Sequence, residues 1–294
     1  MSRLRSLATR YFGQDALEWA DRSYLVDWAA VILVWALSGL VSLSPVFERD
    51  FDLSDPLIHH PHKKNQVSSF VNQNVALFVP LLCFIVVGCV TRSLLLIHHG
   101  AIGLCASRGL ARLITESLKH GIGRLRPDFL ARCKWDTILK ECQGHKHTIL
   151  DGRKSFPSGH SSTAFSGMFF LSLWIAGQTA AWCFAAPKSP ASLRSSRMCI
   201  FLLTLLPIFW AAHVAITRIQ DYRHHKEDVI VGSLLGCLCA WVSYLMFWPN
   251  PMSLSSYRSG TMGQPRLLYV DEDRRPRAAD FELSRLEADE ENAV

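Results

Sequence analysis

Charged residues are scarce in this 294-residue sequence, where they make up 19% of the total. No basic stripe interleaved with aromatic residues lies outside the loops that flank the apolar segments, which argues against nucleic-acid binding despite a net charge of +6. No internal repeat is seen, which argues against a transporter. The sequence also lacks any Asn-x-Ser/Thr motif, so N-linked glycosylation cannot mark which loops face a lumen.

Hydrophobic residues, in contrast, make up 49% of the chain. They cluster in six runs, at roughly residues 24–44, 70–90, 93–115, 160–182, 198–217 and 228–248. Each run has about 20 residues, the length that a helix needs to cross a hydrocarbon core ~30 Å thick. Because lipid offers no partner to exposed backbone groups, such segments must be helical. The sequence therefore predicts an all-α integral membrane protein with a bundle of six transmembrane helices.

An even number of spans places both termini on one side of the membrane and the loops after the first, third and fifth helices on the other. No cleavable signal peptide is expected, because the first apolar run begins after about 20 residues and is too long for one. We expect cytosolic termini, a lumenal or extracellular opposite side, and an organelle that the sequence does not identify. The predicted regions are a cytosolic N-terminal segment at 1–23, a membrane domain at 24–248 and a polar, disordered cytosolic tail at 249–294.

Three polar segments fall at the membrane face opposite the termini, and we name them island 1 (Lys119–Pro127), island 2 (Pro157–His160) and island 3 (Arg218–Asp228). In island 1, Gly121 and Gly123 are expected to break the helix, so that Lys119 and Arg126 stand on a bend. Six residues separate these two cations, so they can reach one anion from different directions. Cations also gather at helix ends to meet lipid headgroups, so island 1 alone is weak evidence.

Island 2 has the residues of an anion-binding helix start. Ser158 is a good N-cap, Gly159 lets a ligand approach the backbone, and the amides of the first turn attract negative charge. His160 then lies where it can donate a proton to a leaving oxygen. A capped helix with an interfacial histidine accounts for the same residues equally well.

Island 3 combines Arg218 with two histidines and a carboxylate. If His224 and Asp228 share a helix face at i and i+4, the carboxylate can fix the imidazole tautomer and leave the other nitrogen as a nucleophile. His225 is also near Asp228, at i+3. Spacing alone does not choose between the two histidines.

Together, the patterns Lys-x6-Arg-Pro, Pro-Ser-Gly-His and Arg-x5-His-x3-Asp resemble those of the type 2 phosphatidic acid phosphatases, over roughly residues 24–248. The segment from Phe47 to Pro61 further resembles the fungal diacylglycerol pyrophosphate and lipid phosphate phosphatases. The resemblance implies the catalytic core of this family and of the acid phosphatases. It also implies hydrolysis of phosphatidate, lysophosphatidate or diacylglycerol pyrophosphate in the bilayer.

The resemblance also implies residue roles. His224 attacks phosphorus to form a phosphohistidine and is oriented by Asp228, while His160 protonates the leaving group and then activates water. The family thus selects His224 over His225. The phosphate-binding residues implied are Lys119, Arg126, Ser158, Gly159 and Arg218.

No metal or other cofactor is expected, because three cations and a helix start can neutralise a phosphate and no Asp-rich cluster lies beside the islands. One departure from the family pattern is Thr217, which stands where Ser usually precedes the arginine and keeps the hydroxyl. The alternatives are a phosphatase for sphingoid-base phosphates, isoprenoid phosphates or a soluble sugar phosphate, and a non-catalytic protein that binds phosphorylated lipid.

Two further sets of residues are ambiguous. Cys133 and Cys142 lie in the loop after the third run, and a disulfide between them is plausible if that side is lumenal. Two free thiols are the alternative. The third run also carries His98, His99 and Arg108, which either form a proton path or, as we favour, pack locally near one interface.

Overall fold

The computed structural model describes residues 10–13, 16–187 and 196–269. Six long helices dominate this part of the chain. Short elements also occur: α4 (Phe129–Cys133), α5 (Lys146–Gly152), α9 (Leu254–Arg258) and the antiparallel strands β1 (Trp135–Asp136) and β2 (Glu141–Cys142). The long helices are α1 (Ser23–Leu43), α2 (Ser69–Val90), α3 (Leu94–Ile122), α6 (Gly159–Thr179), α7 (Arg197–Gln220) and α8 (Lys226–Phe247).

Five of the six long helices, α1, α2, α3, α7 and α8, are long and apolar enough to cross a membrane. The remaining helix, α6, packs against α2, α3, α7 and α8 at the centre of the bundle. A helix surrounded by other helices has no need of an apolar surface toward lipid, which accounts for its small and hydroxyl-bearing residues. The helical membrane fold is confirmed, and the sixth span stays a prediction.

The end of α3 corrects one sequence interpretation. Gly121 lies inside this helix, and the helix ends at Gly123, whose φ of 60° places it in the left-handed region. Glycine adopts that conformation without steric cost. A side chain at Gly123 would also collide with the carbonyl oxygen of Phe47. Only the second of the two glycines therefore breaks the helix.

A small cap covers the end of the bundle where the islands meet. It contains α4, the β1–β2 hairpin and α5, and a disulfide joins Cys133 to Cys142 across the hairpin. Cys133 packs in a buried cluster with Ile58, Leu125 and Phe129, so the loop between α1 and α2 belongs to the same cap.

The opposite end of the bundle holds His98 and His99, and Arg108 lies in the middle of α3. His98 accepts a hydrogen bond from Trp28 Nε1, and His99 lies 3.0 Å from the carbonyl oxygen of Arg266. Arg108 donates to Gln73 Oε1 at 3.0 Å. The histidines thus pack locally at one end, far along α3 from the islands. Residues 249–269 include α9 and contact the bundle, so the predicted disordered tail does not begin there, and 270–294 lie outside the described residues.

Candidate active site

A cavity of about 270 Å³ lies where the three islands converge. Its lining includes residues of all three: Lys119, Arg126, Gly159, His160 and His224. Three other predicted site residues, Ser158, Arg218 and Asp228, are at most 1% exposed and stand behind the lining. The tertiary structure therefore joins three segments that are separated by 29 and 57 residues of the chain into one polar site.

The loop between α1 and α2 holds islands 1 and 3 together. The backbone N–H of His60 donates to the carbonyl oxygen of Pro127 at 2.9 Å. The side chain of Gln66 donates to Asp221 at 2.8 Å, and Asn65 Oδ1 accepts from Arg218 at 3.1 Å. This is the loop whose first part resembles the fungal enzymes, and it positions island 3 from outside the bundle.

His224 lies in the short connection between α7 and α8 and is 3% exposed. Its Nδ1 lies 2.7 Å from the main-chain carbonyl oxygen of Ser155. Because a carbonyl oxygen only accepts hydrogen bonds, Nδ1 carries the proton and Nε2 has the free lone pair. Burial lowers the pKa of His224 to about 4, although the Asp228 carboxylate opposes that shift. The imidazole is therefore neutral at neutral pH, in the tautomer that a nucleophile requires.

The predicted hydrogen bond between Asp228 and His224 is wrong. Helix α8 begins at Lys226, so His224 precedes it and the i,i+4 argument does not apply. The two side chains approach only to 3.8 Å, which exceeds a hydrogen-bond distance. The carboxylate lies close enough to stabilise a positive charge on the ring, but the tautomer is set by Ser155.

Asp228 is instead the centre of a buried network. Its Oδ2 accepts from the backbone N–H of His225 at 3.0 Å and from the Ser155 hydroxyl at 2.5 Å. Its Oδ1 accepts from Arg124 at 2.7 Å. The carboxylate thus caps α8 and ties down the segments on both sides of the cavity.

His225 is held away from the cavity. Its Nε2 lies 3.1 Å from the carbonyl oxygen of Leu125, and it is not among the lining residues. The structure thus separates the two histidines that sequence spacing left equivalent.

The two predicted phosphate-binding cations in the lining are each paired with a carboxylate. Lys119 Nζ lies 2.8 Å from Glu116, and Arg126 Nη2 lies 2.8 Å from Asp151. Burial would raise the pKa of Asp151, but Arg126 and Arg132 outweigh it and hold that pKa at about 2. Asp151 is therefore ionised and already occupies part of the hydrogen-bonding capacity of Arg126.

Arg218, the third predicted cation, lies behind the lining. It donates to Asp221 Oδ2 at 3.0 Å and to Thr217 Oγ1 at 2.9 Å. Thr217 in turn donates to the carbonyl oxygen of Val214. The hydroxyl retained at this departure from the family pattern therefore orients the guanidinium.

In island 2, Ser158 acts as the predicted N-cap of α6. Its hydroxyl accepts from Ser161, and its backbone N–H donates to the carbonyl oxygen of Asp228 at 2.9 Å. A side chain at Gly159 would come within 2.7 Å of Lys119 Nζ, so glycine lets the lysine lie across the helix start. Ser158 therefore positions the cradle, while Gly159 and Lys119 line it.

His160 is oriented from α2. Its Nε2 lies 3.3 Å from Ser69 Oγ, and its backbone carbonyl accepts from Asn72 at 3.0 Å. Both α2 residues line the cavity, which places His160 and His224 on the walls of one space.

Sequence reasoning missed several residues of this site. Glu116 and Arg124 stand close in sequence to Lys119 and Arg126, and their charge and spacing were a usable signal. Asp151 and Ser155 gave no such signal, because their partners lie many residues away in other elements. In the described ranges, no group of three or more His, Cys, Asp or Glu side chains could hold a metal ion.

Comparison with known proteins identifies the family of this chain. Residues 100–252 match the PAP2 superfamily. The chain is 33% identical over 243 residues to diacylglycerol pyrophosphate phosphatase 1 of Saccharomyces cerevisiae, covering 76% of this chain and 80% of the yeast protein. It is 30% identical over 240 residues to lipid phosphate phosphatase 2 of Arabidopsis thaliana, covering 78% and 79% of the two chains. No solved structure matches the chain.

The apolar helical bundle and these matches define an enzyme of the phosphatase class with a membrane-embedded fold. The chain belongs to the PAP2 superfamily, as the three islands predicted.

Proposed function

We propose that this protein is a metal-independent lipid phosphate phosphatase that works through a phosphohistidine on His224. The observation that carries the proposal is the 2.7 Å contact of His224 Nδ1 with the Ser155 carbonyl oxygen, which assigns the proton to Nδ1 and leaves Nε2 unprotonated in a cavity lined by Lys119 and Arg126. Phosphoryl transfer depends mainly on positioning and on neutralising spread negative charge, and these residues supply both.

The proposed reaction has two steps. Nε2 of His224 attacks phosphorus, the bond from phosphorus to the lipid oxygen breaks, and His160 gives that oxygen its proton. His160 then takes a proton from water, the resulting hydroxide attacks phosphorus, and the phosphorus–nitrogen bond breaks. Asp228, 3.8 Å from the ring, stabilises the positive charge that the phosphorylated imidazole carries.

The substrate proposal follows from the position of the cavity at one end of an apolar bundle. A headgroup there meets the cations while acyl chains stay in the bilayer. Phosphatidate, lysophosphatidate and diacylglycerol pyrophosphate all have this form, and the names of the relatives above support that class.

We also propose that the site faces a lumen or the cell exterior, with the termini in the cytosol. The disulfide in the cap supports this orientation, because disulfides persist in oxidising compartments. Labelling of residues on the cap by a membrane-impermeant reagent in sealed cells or vesicles tests it.

The decisive experiment measures phosphate release from a panel of lipid phosphates in detergent micelles, with and without EDTA. Wild type should remain active in EDTA, His224→Ala should be inactive and His225→Ala should keep most activity. Activity that is lost in EDTA and restored by Mg²⁺ would overturn the mechanism. Full activity in His224→Ala would show that the nucleophile is wrong, and turnover of sphingoid-base or isoprenoid phosphates alone would overturn the substrate class.

A further inference from the structure

Arg112 is a third cation in the cavity lining, and it differs from the other two. Lys119 and Arg126 each have a carboxylate within 2.8 Å. No carboxylate of the described residues lies within ion-pair distance of Arg112, and none of its N–H groups has a hydrogen-bond partner in that part of the chain. Its guanidinium carbon lies 5.6 Å from the ring centroid of Trp35 on α1.

The stacking on Trp35 matters for binding. An aromatic face holds a guanidinium plane without using its N–H donors. Arg108, one turn away on α3, provides the contrast: it also lies over Trp35, at 6.0 Å, but it is buried and donates to Gln73. Arg108 therefore has a side-chain hydrogen-bond partner in the protein, whereas Arg112 keeps its donors available to a ligand.

Arg112 lies deeper in the bundle than the phosphate-binding residues. It precedes Lys119 by seven residues on α3, which puts both on one helix face about 10 Å apart along the axis. The lining also contains neutral polar side chains from α1, α2, α3 and α6: Ser42, Gln73, Thr115, Ser162 and Thr163. The lining between Lys119 and Arg112 therefore carries these neutral side chains together with the carboxylate of Glu116, which pairs with Lys119, and Arg112 is the unpaired cation beyond them.

We infer that Arg112 binds the ester carbonyl oxygens of a glycerol-based lipid phosphate, while the phosphate occupies the end near Lys119 and Arg126. The inference rests on the proposed function and deepens it by naming the substrate class. Ester carbonyls follow the phosphate by a few bonds and only accept hydrogen bonds, and arginine only donates them. The neutral polar side chains of the lining suit the glycerol backbone between the phosphate and the arginine.

The same chemistry discriminates against the other lipid phosphates. A sphingoid-base phosphate has an ammonium group near the position of the glycerol esters, and Arg112 repels it. A polyprenyl phosphate has no acceptor there and gains nothing from the arginine. Arg112 is therefore a specificity-determining residue, in contrast to the residues that act on the phosphate.

The test compares a diacyl phosphatidate with its dialkyl ether analogue, which has the same phosphate and chain length but no ester carbonyls. Both are assayed in mixed micelles at equal surface concentration with wild type, Arg112→Met, Arg112→Lys and Arg258→Met. Arg258, exposed on α9, is the matched control. Wild type and Arg258→Met should favour the ester lipid by about tenfold in kcat/KM, as expected for charge-assisted hydrogen bonds.

Arg112→Met should lose this preference through a fall on the ester lipid, and Arg112→Lys should keep part of it. A purely structural role for Arg112 lowers turnover of both lipids equally, and that result overturns the inference. Equal rates of hydrolysis of the two lipids by the wild type also overturn the inference. This comparison needs no variant, so it holds even if the Arg112 variants do not fold. Wild type that releases no phosphate from either lipid refutes the proposed function itself, and the inference with it.

Discussion

The Nδ1 atom of His224 lies 2.7 Å from the main-chain carbonyl oxygen of Ser155, and the hydroxyl of the same serine donates to Asp228. One residue outside all three islands therefore fixes both the tautomer of the proposed nucleophile and the carboxylate beside it. Asp228 contributes through charge and through capping α8, without a direct hydrogen bond to the ring.

Asp228→Asn should lower kcat at least tenfold with little change in KM. The carboxylate stabilises positive charge on His224, which develops only when the ring is phosphorylated, so the loss appears in the transition state. Steady-state kinetics on phosphatidate measure both constants. Glu227→Gln is the matched control, because Glu227 also pairs with Arg124, at 3.0 Å, but is exposed and outside the cavity. Equal effects of the two substitutions would mean that Asp228 acts only by holding Arg124.

His224 should titrate with a midpoint near pH 4, well below the ordinary histidine value of 6.5. The fold favours the neutral ring, so between pH 6.5 and 4 the unfolded chain binds a proton that the folded chain does not. This histidine therefore lowers stability as pH falls through that window, while the nucleophile stays neutral down to about pH 4. NMR of imidazole-labelled protein, assigned with His224→Gln, measures the midpoint without interference from substrate ionisation. A midpoint near 6.5 would contradict the buried, neutral state.

Gly232→Ala should reduce both stability and activity. A side chain at Gly232 would come within 2.6 Å of the Ser158 carbonyl oxygen, so α8 would have to move away from the start of α6. Overpacking of this kind costs about 1–3 kcal/mol. Gly121→Ala is the control, since an added methyl group there meets nothing within 4 Å and the residue is helical. The thermal unfolding temperature in detergent and kcat/KM should both fall for Gly232→Ala. For Gly121→Ala both should stay at wild-type values or rise slightly.

Cys142→Ser should remove the disulfide in the cap and lower the free energy of unfolding by about 2–4 kcal/mol. The expected result is slower migration than wild type on a non-reducing gel, with no difference after reduction. Cys199→Ser is the control, because Cys199 is an exposed free thiol. Identical migration of wild type and Cys142→Ser would show that the two cysteines are not bridged in the protein as isolated.

The sequence by itself determined the helical spans and the residue types of the site. Span length and apolarity are local properties, and helices can satisfy their own backbone groups, so six runs could be read directly from composition. The exception is α6, which is not among the five helices that are apolar enough to cross a membrane and which packs against four other helices. The capping serine, the cations and the histidines of the three islands could also be identified from the sequence, because capping and charge patterns follow short-range rules.

Only the tertiary structure decided which of these residues act together. The contact of His224 with Ser155 spans 69 residues, and that of Arg126 with Asp151 spans 25, so no helical period or motif spacing encodes either. The same holds for Arg112, an ordinary arginine in an apolar run until packing places it on the cavity wall beside Trp35. Local rules specify each helix, whereas the pairing of distant side chains depends on how the helices and the cap pack on one another.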